Sequence, residues 1–202
     1  VIVSILSLLF IIISFLVATN NISWYDDFIK NMITLNDTKI KIFKFITEFG
    51  DWIVLVSITL LAFIILKNKK HSIYILANLI ISSGIMSVIK LIFRRERPEG
   101  MLVTETSYSY PSGHTFISLA FYGFIIYLIS KSNLNKKIKN IINIVLIILI
   151  LLVGTSRVYL NAHYPTDVLG GFLAAGIYLI IYIKIIEKLE GGTNEKKKKR
   201  KE

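Results

Sequence analysis

The chain has 202 residues, 54% of them apolar, a formal net charge of +11 and no cysteine. A mean hydropathy of +0.65, with the charge gathered between long Ile/Leu-rich runs, argues against a soluble domain and for a membrane-integral protein. The lack of cysteine excludes disulfides and thiolate metal sites, so any chemistry must come from His, Ser, Lys, Arg and carboxylates.

A spanning helix needs ~20 mostly apolar residues. Six runs approach that length: 1–18, 52–66, 72–93, 113–130, 141–156 and 165–186, of which the second and fifth are short. The predicted fold is all-α, a six-span transmembrane bundle with an additional interfacial amphipathic helix in the first outer loop. Residues 1–190 would form the membrane domain and 191–202 a flexible basic cytoplasmic tail. With both termini in the cytoplasm, most Lys and Arg fall inside: Lys67, Lys69 and Lys70, then Lys131, Lys136, Lys137 and Lys139, then the tail. The positive-inside rule supports that orientation.

The chain opens at Val1 with no initiator Met and no basic flank, so the first span is expected to begin upstream; a cleaved signal peptide is the alternative. In the first outer loop Trp24, Tyr25, Phe28, Ile29, Met32, Ile33 and Leu35 recur at helical spacing among Asp26, Asp27, Lys30 and Asn31. That pattern predicts a helix lying in the interface, with 38–49 as a second such piece. Interfacial anchoring is the simpler reading, a lid or lipid-access ledge the functional one. The third span carries Asn78, Ser82, Ser83, Gly84 and Ser87, a face of small residues suited to packing inside a bundle.

At the end of that span the text changes to KLIFRRERPEG, with Lys90, Arg94, Arg95 and Arg97 close together on the side where cations are disfavoured. Cations held there imply an anion to bind. Next comes YPSGH, 110–114. Ser112 is an N-cap candidate, Gly113 lets a ligand approach the backbone, and the helix behind them points unpaired N–H groups and its positive end outward. Such a start is an anion site, to which His114 adds a proton donor. The stretch SRVYLNAHYPTD, 156–167, then sets Arg157, His163 and Asp167 between two apolar runs. Pro165 suits the first turn of a helix, which places Asp167 in that turn and His163 just ahead of it, within reach of an orienting carboxylate. Read singly, each of these segments also fits a capped helix start or a loop histidine.

Together they resemble one family. KLIFRRERP fits K-x6-RP, 110–114 contains PSGH, and 156–167 fits SR-x5-H-x3-D, in that order. The chain resembles the type-2 phosphatidic acid phosphatase superfamily, membrane lipid phosphatases sharing a helical core with vanadium haloperoxidases, over nearly its whole length. The resemblance implies that His163 attacks phosphorus to form a phosphohistidine, that Asp167 orients it, and that His114 protonates the leaving oxygen and later activates water. Lys90, Arg97, Ser112, Gly113 and Arg157 would hold the phosphate oxygens. Phosphoryl transfer asks chiefly for positioning and for charge on the equatorial oxygens, which these groups supply. No metal or other cofactor is expected. Glu96, Glu99 and Glu105 fall among the cations as charge balance, and Arg94 and Arg95 receive no catalytic role, only lipid headgroup contacts.

The expected partner is a lipid phosphate, not nucleic acid, and the expected place is the cell membrane with the site on the extracytoplasmic face. The cations around it exceed the need of one monophosphate. That surplus favours undecaprenyl diphosphate as substrate, with phosphatidylglycerol phosphate or phosphatidic acid as the alternative. A lipid transporter on the same bundle would not need two histidines and an Asp, a haloperoxidase would not need six spans, and a lipid phosphotransferase would need an acceptor in place of water. His71, beside Lys69 and Lys70, reads as an ordinary interfacial residue.

Overall fold

In the computed structural model the described residues are 1–34 and 36–199, with backbone alone for 192–199. Leu35 of the predicted interfacial pattern, and the end and side chains of the predicted tail, lie outside them. The described residues form eight α-helices: α1 (Ile2–Ala18), α2 (Ser23–Asn31), α3 (Asp37–Thr47), α4 (Trp52–Ile65), α5 (Lys69–Phe93), α6 (Gly113–Lys131), α7 (Lys136–Tyr159) and α8 (Pro165–Lys199). One 3₁₀ turn, Glu48–Gly50, joins α3 to α4.

Caps explain where several helices outrun their apolar runs. The Asn68 side chain accepts from Lys70 N at 3.2 Å and starts α5 ahead of the predicted 72. Asn135 does the same for α7, accepting from Lys137 N at 2.8 Å, so the lysines before 141 are helical. At its other end α7 continues through Arg157 to Tyr159, past the predicted stop at 156. A growing helix adds one hydrogen bond per residue whatever the polarity of the side chain. Helix α5 ends where Arg94 takes the left-handed conformation, φ 47°.

Among the described residues four helices are long and apolar enough to cross a membrane alone: α5, α6, α7 and the Pro165–Gly191 part of α8. Helix α1 has 17 residues and α4 has 14. Each forms a bent pair with an adjoining helix, α1 with α2 at 90° and α3 with α4 at 47°, and counting each pair as one span gives six. Helix α6 is the centre, packed by α5, α7 and α8. Its Phe116, Ala120, Phe121 and Phe124 are buried, whereas Ile144, Ile148 and Leu151 of α7 and Ile73 and Ile80 of α5 face outward. A core inside and aliphatic side chains outside is the pattern that a hydrocarbon solvent allows. On α5 the predicted small face is only partly inward: Asn78, Ser82 and Ser83 are buried, but Gly84 and Ser87 point out. Neighbouring positions lie about 100° apart around a helix, too far for all five to share one side.

The C-terminal ends of α5 and α7 and the N-terminal ends of α6 and α8 meet at one end of the bundle. The other end is marked by pairs Lys131–Glu187 at 3.4 Å and His71–Glu190 at 3.7 Å. Helix α2 keeps an apolar outward face, with Trp24, Phe28 and Met32 exposed, as the interfacial reading requires. Yet α2 and α3 also turn Asp26 and Thr47 inward, both buried, over the end where the motifs meet. Anchoring alone does not account for that.

Candidate active site

Lys90, in the last turn of α5, is held by bonds from its Nζ to Ser107 Oγ (3.3 Å) and to the Tyr108 carbonyl. The segment 94–112 then crosses the end of the bundle and is pinned to the α7–α8 link. Leu102 N donates to Leu160 O at 3.0 Å and Asn161 Nδ2 to Glu99 O at 2.5 Å. This crossing brings Arg97 and Glu105 against the start of α6. Lys90, Arg97, Glu105, Gly113, His114 and His163 line one cavity of about 170 Å³, with Gly50 on its wall. A larger cavity of about 680 Å³ adjoins it, sharing Lys90, Arg97 and Glu105 and bounded by Met86, Leu91, Met101 and Tyr108. A charged cell thus adjoins a chamber of mixed lining, in which Arg95 and Glu96 join those apolar side chains, beside the outward face of α5.

His163 is 1% exposed, in the short link before α8. Its Nδ1 lies 3.3 Å from Ser109 Oγ and 3.4 Å from Asp167 Oδ2, while Arg97 Nη1 lies 3.1 Å from its Nε2. A guanidinium only donates, so Nε2 carries the lone pair and Nδ1 the hydrogen. Burial first, then the cations Arg97, Lys90 and Arg157, hold the imidazole well below the ordinary histidine range. His163 is therefore neutral, with Nε2 turned towards the cations. Asp167 Oδ2 also accepts from Ser109 Oγ at 2.5 Å and Tyr164 N at 2.9 Å. Pro165 opens α8 as the sequence predicts, and Asp167 lies in its first turn.

His114 occupies the first turn of α6, one fifth exposed, with Nδ1 3.8 Å from Glu105 Oε1. The same carboxylate accepts from Arg97 Nη2 at 3.3 Å and from Arg157 Nη2. Glu105 thereby places anionic oxygen among the groups expected to hold phosphate, a more specific position than general charge balance. Arg157 is 1% exposed, gives Nη1 to Thr47 Oγ1 at 2.6 Å, and has a buried Nε with no acceptor among the described residues. Gly113 lines the cavity, whereas Ser112 sits behind it. The Ser112 N–H donates to the Asp167 carbonyl at 3.0 Å, and its hydroxyl accepts from Thr115 Oγ1 at 2.9 Å. Ser112 holds the N-cap position of α6 without a side-chain cap bond.

Arg95 departs from its expected place. It borders the larger chamber, but its Nη2 donates to Asp26 Oδ2 at 2.8 Å and its Nη1 to Asp167 Oδ1 at 2.6 Å. A buried carboxylate on either side claims the guanidinium, which fits two planar anions better than a hydrated surface does. Arg94 stays exposed and folds back, Nε to Leu91 O at 3.0 Å. Ser109, Thr47 and Gly50 also border the site, with no motif of the sequence pointing to them. Only Ser109, one residue before the YPSGH segment, lay close enough to a motif to be suspected. Among the described residues no three His, Asp or Glu side chains gather as a metal-holding group.

The model of the PAP2 superfamily matches residues 71–190. Phosphatidylglycerophosphatase B of Bacillus subtilis (strain 168) is 39% identical over 99 residues, 48% of this chain and 48% of its own, so the match spans about half that relative. Undecaprenyl-diphosphatase of Sulfolobus acidocaldarius is 27% identical over 158 residues, 72% of each chain. Among solved structures, a transmembrane PAP2 type phosphatidylglycerolphosphate phosphatase from Bacillus subtilis aligns with TM-score 0.84 and 28% identity, over 92% of this chain and 96% of that one. LpxE of Aquifex aeolicus aligns with TM-score 0.62 and 22% identity over 79% and 93%, a likeness of fold. The matched stretch covers more than half of the sequence and contains all three motifs, and the chain belongs to the PAP2 superfamily.

Proposed function

We propose that this protein is a metal-independent lipid phosphatase that hydrolyses a phosphate or diphosphate monoester through a phosphohistidine on His163, at the extracytoplasmic face. One observation carries the reading: a neutral His163, backed by Asp167, faces the same cation-lined cavity as a second histidine, His114. In the reaction, His163 Nε2 attacks phosphorus while the bond to the lipid oxygen breaks, and His114 gives that oxygen its proton. Water then attacks phosphorus, loses a proton to His114 and displaces the imidazole, releasing phosphate. Lys90, Arg97, Arg157 and the first N–H groups of α6 supply the charge stabilisation that a metal gives elsewhere. The adjoining chamber, with Met86, Leu91 and Met101 on its wall, suits a substrate whose tail stays in the bilayer.

Undecaprenyl diphosphate remains the proposed substrate, in keeping with the relative of that activity aligned over 72% of its length. The geometry favours a second reading, a monophosphate such as phosphatidylglycerol phosphate or phosphatidic acid. With Arg95 engaged by two carboxylates, the cation surplus counted in the sequence shrinks to Lys90, Arg97 and Arg157 facing Glu105. That charge matches one phosphate dianion.

The test is phosphate release by the purified protein in detergent, comparing undecaprenyl diphosphate, phosphatidylglycerol phosphate, phosphatidic acid and a water-soluble ester. Lipids should be cleaved at least about tenfold faster than the soluble ester, EDTA should not inhibit, and vanadate should. His163→Ala should abolish the trapped phosphoenzyme, and His114→Ala should slow poor leaving groups by about 10²–10⁴. Equal turnover of the soluble ester sinks the lipid assignment. A phosphoenzyme in His163→Ala, or a strict Mg²⁺ requirement, sinks the mechanism.

A further inference from the structure

Asp26 lies on the amphipathic helix α2, in a loop whose sequence suggests interfacial anchoring or a lid, yet it is 1% exposed. Its Oδ1 accepts from Thr166 N at 2.8 Å, and its Oδ2 accepts from Thr166 Oγ1 and Arg95 Nη2, both at 2.8 Å. It therefore satisfies an N–H at the start of α8, where helical acceptors are lacking and a negative charge is favoured. The other arm of Arg95, Nη1, donates to Asp167 Oδ1 at 2.6 Å and Thr166 Oγ1 at 2.8 Å. The guanidinium is further fixed by the Tyr164 ring, 4.1 Å from its centre.

The two oxygens of Asp167 thus have separate duties. Oδ1 is held by Arg95, and Oδ2 is left to Ser109, Tyr164 N and His163 Nδ1. A carboxylate bonded on both oxygens cannot turn about its own axis without breaking a charged bond, so the position of Oδ2 relative to the imidazole depends on the grip on Oδ1. That grip depends in turn on Asp26, since a guanidinium bridging two carboxylates is fixed in plane and angle, whereas one with a single partner can pivot.

We infer that Arg95 and Asp26 are positioning residues for phosphoryl transfer: they form a clamp that fixes Asp167 in register with His163 and joins helix α2 to the site. The inference rests on the role proposed above for Asp167. It differs from a merely structural ion network in predicting loss of turnover with binding preserved, because neither residue lines the small cavity shared by His114 and His163, Arg95 reaching only the adjoining chamber. A Lys in place of Arg95 keeps the charge but lacks the fork that reaches both acids.

The test compares Asp26→Asn, Arg95→Lys, Arg95→Ala and Asp167→Asn in detergent, with kcat and KM on the best lipid substrate per folded protein, scored by monodisperse elution. Asp26→Asn and Arg95→Lys should lose about 10–100-fold in kcat, the usual scale for partners that orient a reactive ligand, with KM changed less than about twofold. Guanidinium ion at millimolar concentration should restore part of the kcat of Arg95→Ala and none of that of Asp167→Asn. If Asp167→Asn is inactive while Asp26→Asn and Arg95→Lys turn over like the parent, the clamp is wrong and the proposed function stands. A fall in folded fraction with unchanged kcat and no guanidinium rescue also overturns it. Full kcat in Asp167→Asn removes the premise itself and with it the reading of His163.

Discussion

The most exacting demand on any one residue falls on His163, which must present a free lone pair while surrounded by cations. Burial is the larger cause of its lowered pKa, with Arg97, Lys90 and Arg157 adding to it. In the proposed mechanism the neutral imidazole attacks, so the active fraction should decline only as pH falls through that lowered value. The acid limb of kcat/KM should therefore lie below the ordinary histidine pKa of about 6.5, a position read directly from a pH profile with a soluble or lipid substrate. The same shift has a stability consequence. The unfolded chain takes up a proton on this histidine below about pH 6.5 while the folded chain does not, so its contribution to stability is present above that pH and is lost as pH falls below it. An acid limb centred at or above that value would show that His163 is not the neutral nucleophile.

The first long loop is the element whose importance the fold changed most. Beyond Asp26 on α2, the α3 region supplies Thr47 to Arg157 and ends in the 3₁₀ turn whose Gly50 faces His114. A Cβ on Gly50 would stand 2.8 Å from Val153 Cγ1 and 3.0 Å from both His114 Cδ2 and Ser118 Oγ. No flexible side-chain end is available to yield at low cost, so Gly50→Ala should overpack the site by about 1–3 kcal/mol and push the imidazole aside. Misplacement of an acid by a fraction of an ångström to an ångström costs on the order of 10–100-fold. Turnover of a lipid with a poor leaving group should fall by about that much, and turnover of an ester with a good leaving group should fall less. Equal loss on both, tracking a lowered melting temperature, would mean that Gly50 serves packing alone.

For the molecule as a whole, the end carrying the cavity and the end carrying Lys131, Lys136, Lys137 and Lys139 are opposite ends of one bundle. We propose from the positive-inside rule that the lysine end lies in the cytoplasm and the cavity outside, Lys90, Arg97 and Arg157 being held by partners within the site. With no native cysteine, labelling is free of background. In intact cells a membrane-impermeant maleimide should modify Glu99→Cys, beside the cavity, and should reach Leu134→Cys only after permeabilisation. Both positions are exposed. The reverse pattern would invert the topology.

Much of this protein is local in sequence, and that part was legible. Apolar runs marked the spans, Pro165 marked the start of α8, and the i,i+4 spacing of His163 and Asp167 put acid and imidazole together, since periodicity and helix starts are set within a few residues. The motif residues Lys90, Arg97, Gly113, His114 and His163 could be named in advance because their spacing resembles that of one family, and all five line one cavity. The bonds between Asp26 and Thr166, 140 residues apart, between Thr47 and Arg157, 110 apart, and between Arg95 and Asp26, 69 apart, had no such signal. Composition shows that Arg95 is a cation near the site. It cannot show which way a long, forked side chain turns, because that depends on the carboxylates brought to it by helix packing. Local pattern was enough for the membrane class and the helices, and the family resemblance for the candidate site residues, while helix packing decided which charges face the cavity and which hold the others in place.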